Sequence, residues 1–80
     1  MVEIDSREHS TMQNPMLLRI RQAALDKAFM QIRDRRFELD ENRTRGRISE
    51  DEYQRRLVQL ILEGNEIRVE QKEIESLLSR

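Results

Sequence analysis

Apolar residues recur at helical spacing along most of the chain. Leu18, Leu25, Ile32 and Leu39 stand seven residues apart, and Phe29 and Ala28 lie beside that row. The spacing predicts a first helix over residues 15–43 with a core-facing stripe. Gln22 and Arg36 take the remaining seam positions and interrupt it. Tyr53, Leu57, Leu60, Gly64, Ile67, Gln71, Ile74 and Leu78 follow in alternating steps of four and three without a slip. They predict a second helix over 49–79 with a coiled-coil seam. The hydrophobic anchors are expected at Leu18, Leu25, Phe29, Ile32, Leu39, Tyr53, Leu57, Leu60, Ile67, Ile74 and Leu78. Residues 1–14 have no such period and are expected to form a flexible tail.

Each helix carries a further apolar strip away from its seam. On the first it comprises Met16, Ile20, Ala23, Met30 and Phe37; on the second, Val58, Ile61, Leu62 and Val69. A two-helix hairpin covers one side of each helix, so these strips need another chain or the tail to cover them. The expected interface residues are Met16, Ile20, Met30, Phe37, Val58, Leu62 and Val69. The first expectation is a homodimer packed as a four-helix bundle; the second is docking of a different protein.

The turn is written in residues 44–48. Gly46 supplies the positive φ at which a helix ends. Ser49 can cap the next helix through the Glu52 amide, with the Glu52 carboxylate reaching back to the Ser49 N–H. Ile48 and Tyr53 have staple spacing across the cap. Glu50, Asp51 and Glu52 place negative charge on the first turn, where the helix dipole favours it. Asn14-Pro15 is a cap followed by a favoured first residue for the earlier helix. Gly64-Asn65 interrupts the second helix by composition, yet the seam register runs across it, so one continuous helix is expected. The glycine would let a facing helix approach opposite Phe29 or another large residue, and Gln71 would help fix register.

The stretch from Phe37 to Ile61 resembles the short C-terminal domain family known as SHOCT. The resemblance rests on Gly46, Ile48, Ser49, the acids Glu50-Asp51-Glu52, Tyr53, Arg55-Arg56, and Leu60-Ile61 in the place of that family's leucine pair. Tyr53 stands where the family favours phenylalanine, and this chain continues in register for about twenty residues more. The resemblance implies oligomerisation or protein contact and no catalytic residues.

Composition narrows the function. Charged residues make up 39% of the 80, aromatic ones 4%, and glycine and proline together number three, which favours long helices over a sandwich or barrel. The net charge of −1 gives the chain no overall attraction to nucleic acid. With no cysteine, thiol chemistry and disulfides are excluded. No apolar run approaches a membrane span, and a cytoplasmic location is expected.

No phosphate-binding glycine loop, metal-ligand cluster or nucleophile motif is present, so no cofactor, metal, catalysis or small-molecule substrate is expected. His9 is the one histidine and has no ligand at metal spacing beside it. Two other readings remain. Arg43, Arg45 and Arg47 at the turn could contact phosphates, although acids flank them and no aromatic residue interleaves; as structural groups they would cap helix carbonyls. Arg36 at its seam position could begin a small helical active site, but only if a second polar group faced the same cavity. The expected function is therefore an adaptor, scaffold or regulator that binds protein.

Overall fold

A computed structural model describes residues 14–79, and these form an all-α antiparallel hairpin. Helix α1 spans Pro15–Thr44 and helix α2 spans Glu50–Leu78. The expected tail is outside the described residues except for Asn14, as is His9. Among the described residues no helix is long and apolar enough to cross a membrane.

The helix ends follow from local chemistry. Asn14 accepts hydrogen bonds from the Met16 and Leu17 amides, with Pro15 as the first helical residue. At the far end of α1, Gly46 adopts φ 72°, and the Gly46 and Arg47 amides close onto the Arg43 and Asn42 carbonyls. Ser49 then caps α2, its hydroxyl accepting the Glu52 amide at 3.2 Å. The reciprocal half of the expected capping box does not form. The Glu52 carboxylate turns along the helix and accepts a hydrogen bond from Arg56 one turn on, at 2.7 Å. Helix α2 passes through Gly64-Asn65 unbroken.

The two seams meet as the period requires. Leu18, Leu25, Ile32, Leu39, Tyr53 and Ile74 are buried, and Phe29, Leu57, Leu60, Ile67 and Leu78 are half-buried. Gly64 is buried too, and it faces Ile32 rather than Phe29. A β-carbon at position 64 would stand 3.8 Å from Ile32 Cγ2, an ordinary van der Waals distance. The open end of the hairpin is closed by a cluster of Leu18, Leu25 and Ile74, against which Ile67, Leu77 and Leu78 pack. Leu77 has no place in the seam pattern and joins the cluster from its flank.

Polar contacts lock the register at three levels. Near the turn, the Tyr53 hydroxyl donates to Asp40 Oδ1 at 2.8 Å. At mid-length Gln71 donates to Asp26 at 2.9 Å, which gives this seam amide the aligning role its position suggests. Arg21 donates through Nε and Nη2 to the two oxygens of Glu70, at 2.7 and 3.0 Å. Such a fork-to-fork pair sets geometry as well as charge.

Candidate functional site

The hairpin is one layer of helices, about 15 Å through its thinnest dimension, so each of its two broad sides is open. The two sides differ in chemistry. On one, the row Arg21, Arg35 of α1 runs beside Glu70, Glu63 of α2. Arg21 pairs with Glu70, and Arg35 reaches Glu63 at 3.7 Å. Arg56 and Glu52 add a pair along α2. The Arg21 hydrogen bond holds the Glu70 carboxyl below its ordinary pKa against a slight opposing effect of burial, and the Arg21 charge lowers it further. This side is a solvated, charge-paired surface.

The other side carries a groove with apolar walls and a charged rim. A cleft of about 380 Å³ opens beside Gly64, where the missing side chain leaves room between the helices. Phe29, Phe37, Leu60 and Ile61 form its apolar walls, and Arg33, Arg36, Arg68 and Asp40 rim it. The Arg68 guanidinium lies over the Phe29 ring, 5.0 Å from its centroid. Arg36 therefore does share a cavity with a second polar group, Asp40. The rim charges are exposed, and among the described residues no polar or charged side chain is buried. The cleft thus supplies apolar contact with a cationic edge.

All seven expected interface residues are exposed. Met16 and Phe37 are the most open, at 69% and 68%, and Ile20, Met30, Val58, Leu62 and Val69 are each more than half exposed. Leu17 and Ile61 are also large, apolar and exposed, at 42% and 41%. Leu17 was not legible as part of a strip because it follows Met16 directly and breaks the spacing.

The arginine turn is less free than its sequence suggests. Arg43 stacks on the Tyr53 ring, 4.4 Å from its centroid, and its Nε lies 3.3 Å from Glu50. Arg45 pairs with Glu41 at 3.1 Å. The expected capping of helix carbonyls by these side chains is replaced by pairing with carboxylates and a ring. Arg47 has no ion-pair partner among the described residues. No group of three or more potential metal ligands occurs among the described residues.

Fold and surface together define a two-helix antiparallel hairpin with one charge-paired side and one side grooved between apolar walls. No family model, curated protein or solved structure matches the chain.

Proposed function

We propose that this chain is a non-catalytic protein-interaction module that assembles with itself through the exposed apolar strips of its two helices and works as a small adaptor, scaffold or regulator. One observation carries the reading: large hydrophobic side chains on both helices stay exposed although the hairpin is fully formed. Apolar surface of this kind on a small chain marks a contact waiting for a partner. An 80-residue chain is also marginal as a monomer, and sharing a core is a usual remedy. The resemblance to the SHOCT family points the same way. The arginine turn lends little to a nucleic-acid reading, since Arg43 and Arg45 already have carboxylate partners.

The test is the solution mass of the purified chain by light scattering across a dilution series. A dimer is expected, and Phe37→Glu combined with Leu62→Glu is expected to give a monomer that keeps its helical circular dichroism. A wild-type chain that is monomeric at every concentration would refute self-association.

A further inference from the structure

The cleft beside Gly64 is cationic in a chain whose net charge is −1. Its lining sets Arg33, Arg36 and Arg68 against a single acid, Asp40. The two broad sides of the hairpin treat arginine differently. On the charge-paired side, Arg21 and Arg35 meet Glu70 and Glu63 across the helices. On the grooved side, α2 lines the cleft with Leu60, Ile61, Gly64, Asn65 and Arg68, none of them an acid. Neighbours along each helix supply no substitute. Three and four residues from Arg33 stand Phe29, Met30, Arg36 and Phe37; from Arg68, Gly64, Asn65, Gln71 and Lys72. Those are the spacings from which a helical carboxylate pairs with a guanidinium. Arg36 has one such acid, Asp40, whose Oδ1 accepts the Tyr53 hydroxyl. All three arginines are exposed, and none has an ion-pair partner among the described residues.

This lining selects a ligand chemistry. Guanidinium forks recognise carboxylates and phosphates, and the walls of Phe29, Phe37, Leu60 and Ile61 call for an apolar group between the anions. At about 380 Å³ the cleft is at the small end of ligand sites, so it takes anchor side chains rather than a folded domain. Nucleic acid is served poorly: Arg68 already lies over the Phe29 ring, which leaves Phe37 as the one open ring for a base. An amphiphile with one carboxylate would leave two of the three arginines unmatched. Several carboxylates beside apolar side chains, as in an acidic peptide, match all of them. The cleft is also largely separate from the exposed apolar strips. Met30 and Leu62 each stand two residues before the facing pair Ile32 and Gly64, about 160° round their helices, and so point along the outer edges. Of the expected interface residues only Phe37 lines the cleft.

Resting on the protein-interaction reading above but not on self-association, we infer that this cleft binds an acidic segment of another protein. Large apolar side chains of that segment enter between the Phe29 and Phe37 rings and the Leu60 and Ile61 side chains, and flanking Asp or Glu carboxylates meet Arg33, Arg36 and Arg68. Charge complementarity then supplies specificity, and burial of the apolar anchors supplies affinity.

The test is a titration of the full chain, followed through its amide NMR signals, with two synthetic peptides. One alternates Glu with Leu; the other carries Leu at helical spacing among Glu residues. At least one is expected to shift the signals of Arg33, Arg36, Ile61 and Arg68, with an affinity that falls as salt rises. Counterparts with Gln for every Glu, or Ser for every Leu, are expected to bind at least about tenfold more weakly. Arg33→Gln combined with Arg68→Gln is expected to weaken binding at least about tenfold while helical circular dichroism and solution mass stay unchanged. Arg19→Gln combined with Arg55→Gln, which lie outside the cleft, is expected to leave the affinity within about twofold. No shift with either peptide, or binding that the cleft variants leave intact, overturns the proposal, as does a single-stranded oligonucleotide that displaces both peptides. Nuclear Overhauser contacts from Val2 or Ile4 to Phe29 and Phe37 in the free chain would make residues 1–13 the occupant and overturn it too. So would a peptide affinity that falls as the chain is concentrated, which would make a second copy the occupant. Light scattering decides self-association separately: an oligomer that binds neither peptide loses only the cleft proposal, and a monomer that binds one loses only self-association.

Discussion

Ser49, Gly46 and Gly64 show how single residues divide the work. Ser49 satisfies the Glu52 amide at the start of α2. Ser49→Ala is expected to lower stability by about 1 kcal/mol in thermal or urea unfolding, the usual cost of losing a cap. Gly46 holds φ 72° with open space around its α-carbon. Gly46→Ala is expected to cost about 1 kcal/mol through backbone strain alone, with no steric contribution. Gly64 behaves oppositely. It is helical, and a methyl group there meets Ile32 Cγ2 at 3.8 Å, so Gly64→Ala fits without displacement. Because alanine is favoured over glycine in a helix interior by about 1 kcal/mol, the variant is expected to raise the unfolding midpoint. The seam register across Gly64 is legible in the sequence. The identity of its neighbour is not, since Phe29 and Ile32 are adjacent seam positions and a shift of a few ångströms exchanges them.

At the scale of the helices, register is held by a few paired polar groups laid over a periodic apolar seam. Arg21 and Glu70 are the best formed of these, with two short hydrogen bonds. Glu70 has its pKa lowered by folding. The stability it contributes is therefore present above the ordinary carboxylate range and is lost as pH falls through the lowered folded value. Glu70→Gln is expected to remove that part of the acid sensitivity, measurable as a smaller difference between melting temperatures at neutral and acid pH. The pair is solvent-accessible, so salt is expected to screen the same difference. The sequence offers Glu63, Glu66, Glu70 and Glu73 as equivalent outer charges on α2. Folding distinguishes them: Glu63 and Glu70 face arginines across the hairpin. Which flank of each seam meets the other depends on the sense of the turn and the crossing of the helices, neither of which the period encodes.

For the whole molecule, the decisive property is sidedness. Paired charges cover one broad side of the hairpin, whereas the other opens a cleft walled by Phe29, Phe37, Leu60 and Ile61. Self-association through the exposed apolar strips would couple folding to concentration, as it does whenever a partner binds only the folded form. The melting temperature of the wild-type chain is accordingly expected to rise with protein concentration, and that of Phe37→Glu with Leu62→Glu to stay constant. A concentration-independent melting temperature in the wild type would place the stability within the single hairpin.

What the sequence by itself determined is local: two helices, their seams, the Asn14 and Ser49 caps, the glycine turn, and the surplus of apolar residues off the seams. Caps and periodicity act over one or two turns of chain, so neighbouring residues suffice to specify them. The tertiary structure alone decided that Ile32 faces Gly64, that Arg43 stacks on Tyr53, that Glu52 leaves Ser49 for Arg56, and that the groove and the salt bridges lie on opposite sides. Except for the Glu52 exchange, which is a competition between two nearby partners, these are relations between segments far apart in sequence. They follow from how two helices cross and slide against each other, which is set by the sum of many weak contacts and carried by no single residue.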